Sequence, residues 1–336
     1  MSTIHFSKPL IKWYQENKRR QPWRETNDPY KIWVSEVMMQ QTQAITVIPY
    51  YNRFIKMLPT VKDLAEVDER TLLNLWEGLG YYSRALNMKK AAIVIMGKHH
   101  GLMPKTFDEL IKLKGIGIYT AGAIMSIAYG EKYPATDGNV LRVLSRYYGI
   151  KDDIRDIKTV NKIRAINKRL MIEPTSSFTQ GLFELGAMVC KKSKPLCDIC
   201  PVSKTCISFN ENLTEVIPYK SKSREKRQLF FQTFILEDED GNIILEKQQK
   251  RLLRGLYLYP QIESENLNYA KEELKNIGID IIYVEKLDTY KHIFTHLIWH
   301  MDVYIGRAVI HNNDYLLVKK DKLDLYPMGT AHKKIK

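Results

Sequence analysis

All four cysteines of the 336-residue chain fall in one stretch, Cys190-Lys-Lys-Ser-Lys-Pro-Leu-Cys197-Asp-Ile-Cys200-Pro-Val-Ser-Lys-Thr-Cys206. With no cysteine elsewhere, a disulfide framework is a poor use for them, and a metal or cluster site is the reading of type and spacing. The pattern C-x6-C-x2-C-x5-C has one short pair flanked by two longer loops. Structural zinc favours short pairs, whereas a wrap round a cubane tolerates longer loops, so spacing alone admits either a 4Fe-4S cluster or zinc. Lys191, Lys192 and Lys194 in the first loop and Lys204 in the last make the segment basic. It is either a phosphate grip or a solvated charged loop.

Two carboxylates and two glycines also stand out. Glu36 sits among apolar neighbours in Trp33-Val-Ser-Glu36-Val-Met-Met. Asp137 sits beside a glycine in Pro134-Ala-Thr-Asp137-Gly-Asn139-Val140, just ahead of a helical pattern. Taken singly, the first reads as a surface glutamate and the second as a helix cap. In Leu113-Lys-Gly115-Ile-Gly117-Ile-Tyr119 the glycines separate a helix ending near Lys112 from one beginning near Tyr119. Such a turn lets backbone N–H groups approach an anion, and it also serves as a plain helix connection.

The elements that must position these residues follow from periodicity. Apolar residues recur at helical spacing over Lys31–Tyr51, Glu69–Trp76, Tyr82–His99, Tyr119–Tyr129, Asn139–Tyr148 and Thr179–Val189, so residues 1–207 are expected to form an all-α domain that includes the cysteine loop, 190–206. Residues 208–227 are polar, basic and aperiodic, as a linker would be. From 228 to 336 the period changes to two: strands are expected over Leu229–Leu236, Asn242–Gln248 and Ile293–Ile305, with one helix over Asn268–Ile277, giving an α+β domain. The charge balance is a net +14, which points to a polyanionic partner, nucleic acid ahead of a membrane surface. The N-terminal residues carry charge every few positions and no apolar core, and the longest apolar runs fall far short of a membrane span, so a cytoplasmic protein is expected.

Taken together, the Leu113–Gly117 hairpin, Asp137 about twenty residues beyond it and the cysteine pattern resemble the helix-hairpin-helix DNA glycosylases of the endonuclease III superfamily. Trp33-Val-Ser-Glu36-Val-Met-Met-Gln40-Gln41-Thr42-Gln43, Gly78-Leu79-Gly-Tyr81-Tyr-Ser-Arg-Ala85 and Asp137-Gly-Asn139-Val140 are similar, more narrowly, to MutY-type adenine DNA glycosylases. Lys114 departs from the family, whose hairpin commonly has proline there. The resemblance implies a 4Fe-4S cluster on Cys190, Cys197, Cys200 and Cys206. It further implies excision of adenine mispaired with 8-oxoguanine or guanine from duplex DNA, by a monomer acting in base excision repair.

It also joins the two carboxylates into a pair: Glu36 as the acid that protonates adenine N7, and Asp137 as the carboxylate that stabilises the cationic sugar, with Tyr119 and Asn139 completing the pocket. Bifunctional relatives carry lysine where this chain has Tyr119, so a monofunctional glycosylase is implied rather than a lyase. The competing readings are a bifunctional glycosylase/lyase and a non-catalytic DNA-binding protein. Gln40, Gln41, Thr42, Leu79 and Tyr81 match wedge and lesion-contact positions, Gly115 and Gly117 the DNA-binding hairpin, and Trp23 and Arg24 an element near the active site. The C-terminal domain resembles the family's Nudix-like domain. A working Nudix hydrolase requires magnesium-binding glutamates; after Gly255 the first of these is Gln261, so binding rather than hydrolysis is implied. Phe294-Thr295-His296 resembles the loop that touches 8-oxoguanine, and is otherwise part of an ordinary strand.

Overall fold

The structure is a computed structural model and describes residues 3–222, 225–249, 252–312 and 314–335. The chain divides into two compact units, Met1–Glu66 with Asn87–Lys222, and Val67–Leu86 with Ser223–Lys336. The later cut falls inside the polar stretch 208–227. The inclusion of 67–86 in the second unit has no signal in composition or periodicity.

The first unit is helical: α1 (Thr3–Asn17), α2 (Pro29–Met39), α3 (Ala44–Met57) and α4 (Val61–Glu66) precede the excursion through α5 (Glu69–Trp76). After it come α6 (Ser83–His99), α7 (Phe107–Leu110), α8 (Ile118–Ile127), α9 (Gly138–Tyr148), α10 (Ile157–Leu170), α11 (Thr175–Glu184) and α12 (Ile207–Asn210). Side-chain caps fix several starts: Asp28 accepts from Tyr30 N–H with Pro29 at the first position of α2, and Asp156 accepts from Lys158 N–H. The continuous helix expected over 31–51 is broken. α2 stops at Met39, Gln41 takes φ 60°, and α3 restarts at Ala44. No glycine or proline marks that break, so pattern alone runs through it.

α1, α9, α10 and α11 enclose Phe6, Leu10, Val140, Leu144, Tyr147, Ile163, Phe178 and Leu182. α8 is buried from Thr120 through Ile127, which is why it reads as apolar all round. A Cβ on Gly122 would lie 2.7 Å from the Pro134 carbonyl oxygen, so the glycine lets the extended segment before Asp137 lie directly against α8.

The second unit is built on a sheet of β1 (Arg227–Glu237), β2 (Ile243–Lys247), β3 (Tyr257–Leu258), β4 (Gln261–Glu263), β5 (Ile279–Ile293), β6 (Leu297–Ile310) and β7 (Leu316–Val318). The order is β3-β2-β1-β6-β5, with β4 on β1 and β7 on β2, and β1 runs parallel to β6. One face packs Phe234, Leu236, Ile244 and Tyr304 against α13 (Leu267–Asn276). The other packs Phe231, Trp299, Met301 and Val303 with Met328, Ala331 and Ile335 of the C-terminal segment, which includes α14 (Thr330–Lys333). The strand expected over 293–305 is in fact the end of β5, a turn at 294–296, and β6, because β5 and β6 form a hairpin with Ile293 opposite Ile298. Among the described residues, no helix is long and apolar enough to cross a membrane.

Candidate active site

In the first unit α2, α8, the start of α9 and the end of α11 converge on a cleft of about 700 Å³, lined among others by Trp23, Arg24, Glu36, Tyr119, Asp137 and Asn139. Glu36 is on the buried side of α2 and 3% exposed, so it is no surface glutamate. The Tyr119 hydroxyl, in the first turn of α8, donates to Glu36 Oε2 at 2.6 Å, and the Tyr119 ring leans on Phe183 at 5.9 Å between centroids. Burial raises the Glu36 carboxyl to about 7; the negative charge of Asp137 adds to the rise, while the Tyr119 hydroxyl and the Arg24 charge oppose it.

Asp137 caps α9, accepting from Val140 N–H at 2.8 Å on one oxygen and from the Asn139 amide at 3.0 Å on the other. Burial raises its carboxyl too, and these two donors and the Arg142 guanidinium pull it back. Among the described residues Glu36 has the Tyr119 hydroxyl as its single donor, whereas Asp137 has two donors that favour its charged form. The cap reading of Asp137 is therefore correct, and it is compatible with the chemical one: capping occupies one oxygen, the Asn139 amide holds the other, and the residue lines the cleft.

Sequence reasoning missed a set of residues whose partners are remote along the chain. Arg142 donates to Asn139 Oδ1 at 2.9 Å, to the Gly186 carbonyl at 2.8 Å and to the Cys190 carbonyl at 2.8 Å, tying Asn139 to the turn after α11. That turn, Leu185–Val189, is π-helical, and a Cβ on Gly186 would sit 2.6 Å from Asn139 Cβ. Glu184, 1% exposed, is held by Arg19 and Arg24, each at 2.6 Å. These two cations keep its carboxyl ionised down to about 2 against the opposing effect of burial. Gln21 is 3% exposed, lines the cleft, and its Oε1 has no hydrogen-bond partner. An acid inside an apolar run was a usable signal for Glu184, the same one that marks Glu36.

Of the other expected positions, Gln41, Thr42, Lys191 and Lys192 line the cleft. Gln40 Nε2 donates to Thr120 Oγ1 at 3.3 Å. Lys194 is exposed at φ 49°. In the hairpin Leu113 and Ile116 are buried while Lys114, Gly115 and Gly117 are exposed; Gly115 takes φ 82°, and Gly117 precedes the first turn of α8. The first N–H groups of a helix have no carbonyl ahead of them, and here they start from exposed Gly117 with no side-chain cap, which suits anion binding.

In the second unit Leu79 is 5% exposed and Tyr81 45% exposed at φ 49°, so Tyr81 is the side chain this turn presents. Its hydroxyl is hydrogen-bonded to that of Thr295. Phe294 packs on Trp299 at 4.9 Å, and Thr295 and His296 are exposed at the hairpin tip.

The four cysteines line one small apolar recess with Val143, Tyr147, Leu185, Val189 and Val202. Buried Arg146 faces Cys190 Sγ at 3.5 Å and donates to the carbonyls of Ile217, Lys191 and Lys192 at 2.7, 2.5 and 3.0 Å. Burial pushes the Cys200 thiol up to about 12, and the neighbouring cysteines add to this, so a cationic occupant is what would hold thiolates here. An all-sulfur donor set beside a guanidinium fits a soft, thiolate-ligated centre of net negative charge. Among the described residues, no three or more His, Cys, Asp or Glu are drawn together as for a single metal ion.

Comparisons with known proteins identify the family. Residues 34–169 match the family model described as HhH-GPD superfamily base excision DNA repair protein, and residues 232–336 match that of the NUDIX domain. The adenine DNA glycosylase of Buchnera aphidicola subsp. Acyrthosiphon pisum is 36% identical over 311 residues, covering 91% of this chain and 88% of that one. That of Arabidopsis thaliana is 34% identical over 360 residues, 90% of this chain and 56% of the other, and that of Homo sapiens is 40% identical over 212 residues, 60% and 39% respectively. Among solved structures a thermostable thymine-DNA glycosylase superposes with a TM-score of 0.58 at 26% identity, over 62% of this chain and 97% of that one. An endonuclease III in non-covalent complex with DNA has the same helical fold, with a TM-score of 0.51 at 23% identity, over 63% and 99%. From its matching helical and C-terminal domains and from relatives aligned over nearly its full length, the chain belongs to the adenine DNA glycosylase family of base excision repair enzymes.

Proposed function

We propose that this chain removes adenine paired with 8-oxoguanine or guanine in duplex DNA, as a monofunctional hydrolase. The observation that carries the reading is the pair of unlike carboxylates in one cleft, Glu36 raised to about 7 by burial and Asp137 held by two hydrogen-bond donors. Adenine is inaccessible inside the stack, so it is flipped out of the duplex into the cleft. Glu36 then gives its proton to N7, drawing electrons from the C1′–N9 bond as it breaks. Asp137 faces the positive charge that develops on the sugar, and water adds at C1′, its surplus proton returning to the Glu36 carboxylate, leaving free adenine and an abasic site. Asn139 and Arg142 hold Asp137 in place. Tyr119 is a phenol, not an amine, so no Schiff base to the sugar forms and the strand stays intact.

The same reading assigns DNA grip to the Gly115–Gly117 hairpin and to Lys191, Lys192 and Lys194, and filling of the vacated stack to Gln40, Gln41, Thr42 and the Leu79–Tyr81 turn. Phe294, Thr295 and His296 are assigned recognition of 8-oxoguanine; the Tyr81–Thr295 hydrogen bond supports treating wedge and recognition loop as one device. Cys190, Cys197, Cys200 and Cys206 are proposed to hold a 4Fe-4S cluster, which when bound braces the lysine loop and brings one-electron redox capacity. The protein is proposed to act as a cytoplasmic monomer.

The test is a duplex carrying adenine opposite 8-oxoguanine: the wild type should create a site cleaved only after alkali, and Asp137→Asn should create none while still binding. Equal activity in Asp137→Asn would remove that residue from the chemistry. Cleavage without alkali, trapped by borohydride, would make the enzyme a lyase.

A further inference from the structure

Gln21 is a buried polar side chain without a structural task. It precedes the short 3-10 turn Pro22–Arg24 in the capping position, yet its side chain makes no cap hydrogen bond. It is 3% exposed, and its amide oxygen has no partner. Leaving a buried acceptor unpaired is costly, and such groups in a folded protein call for a ligand, a water or a functional reason. The same residue lines the cleft that holds Glu36 and Asp137, next to Trp23 and Arg24, both fixed: Trp23 edge-on to Tyr51 at 5.3 Å, Arg24 on Glu184 at 2.6 Å.

A glutamine amide places one donor and one acceptor side by side, and half a turn about its last bond exchanges them. That is the complement of an adenine edge, where an amine donor adjoins a ring-nitrogen acceptor. In the proposed reaction N7 is taken by the Glu36 proton, which leaves the N6 amine and N1 as the free pair.

Resting on the reading above that adenine is the base excised, we propose that Gln21 is a specificity residue that reads the N6 amine and N1 of the flipped adenine. The energetic signature follows from the orphaned oxygen. In the free protein the amide oxygen has no partner among the described residues, and a bound base with an amine donor would satisfy it. Replacing it by an apolar chain of the same reach therefore removes recognition without removing a structural bond.

The experiment compares wild type with Gln21→Met on three otherwise identical duplexes, bearing adenine, purine (no N6 amine) or 1-deazaadenine (no N1) opposite 8-oxoguanine. Single-turnover rates are measured against enzyme concentration, and thermal unfolding is measured on both proteins. The expected result is a fall of about 10–100-fold in kcat/KM on adenine, the range in which one satisfied polar group discriminates, against a change within about 3-fold on purine. 1-Deazaadenine should fall between, and the unfolding midpoint of Gln21→Met should be equal to or above that of wild type. An equal loss on all three bases, or no loss on any, overturns the proposal, as does a lower unfolding midpoint, which would make the amide structural. Gln21→Glu, which keeps acceptors and loses the donor, should retain part of the purine-to-adenine discrimination; full loss with it while Gln21→Met discriminates normally also overturns the proposal. Failure of the wild type to release adenine at all sinks the functional reading itself, a result separate from the comparison between variants.

Discussion

At the scale of single residues, the proposed chemistry depends on which carboxylate keeps its proton. Glu36 is raised from an ordinary 4.5 to about 7 by burial, so the native state binds a proton that the unfolded chain has already lost between those values. Its contribution to stability therefore declines as pH rises from about 4.5 to about 7, by up to about 3 kcal/mol. Glu36→Gln should consequently be more stable than wild type at pH 8 and not at pH 4, in denaturant unfolding at both values, while its single-turnover rate falls by ~10³-fold or more. The wild-type rate should fall as pH rises through about 7, when the acid ionises, and also in acid as Asp137 takes up a proton. Glu184 behaves oppositely: held down to about 2 by Arg19 and Arg24, it contributes stability above its unfolded value near 4.5, and this is lost as pH falls toward 2. Glu36 and Asp137 were legible in the sequence because short motifs surround them. Glu184 carries the same signal of an acid inside an apolar run, but Arg142 and Gln21 were not legible, since what identifies them is a partner as far as 48 residues away, or the lack of one among the described residues.

At the scale of elements, what positions the Asp137 carboxylate is a close approach between two backbones. The π-helical turn at 185–189 brings Gly186 against Asn139, and Arg142 locks both through one guanidinium. Gly186→Ala would place a methyl carbon 2.6 Å from Asn139 Cβ, so Asn139 must shift and its hydrogen bond to Asp137 with it. The expected result is a fall in kcat of about 10–100-fold with KM little changed, because a misplaced catalytic group loses transition-state rather than ground-state interaction; a rise in KM alone would contradict this. The helices α5, α6, α8, α9 and α13 could be read from periodicity to within a residue or two. The break at Gln40–Gln43 and the turn at 294–296 could not, since no glycine or proline punctuates either and apolar spacing continues across both. Each is set by tertiary packing: the first by the separate burial of α2, the second by pairing of β5 with β6.

At the scale of the whole molecule, the second unit holds more than the change of periodicity suggests. Residues 67–86 belong to it through long-range bonds: Lys333 Nζ to Glu77 at 2.7 Å, Met328 N–H to the same carboxylate at 3.3 Å, and Asn74 Nδ2 to the Leu325 carbonyl at 3.2 Å. Deleting residues 326–336 would strip these from Glu77 and uncover Trp299 and Met301 by removing Met328, Ala331 and Ile335. The loss should be several kcal/mol, read as faster hydrogen exchange in both 67–86 and 297–305 with α1, α9 and α11 unaffected. The net charge of +14 and two-domain composition were visible from the start, whereas this capture of an early segment by a late one depends on contacts some 250 residues apart.

The central claim, hydrolysis of the N-glycosidic bond to adenine by a pair of unlike carboxylates, is tested most directly by following released base. Wild type, Glu36→Gln and Asp137→Asn are incubated in excess over a duplex with adenine opposite 8-oxoguanine, and free adenine and strand integrity are measured together. The account requires one adenine released per duplex by the wild type with the strand intact until alkali is added, and none from either variant. Adenine released at the wild-type rate by Glu36→Gln, or a strand cut without alkali, would contradict it.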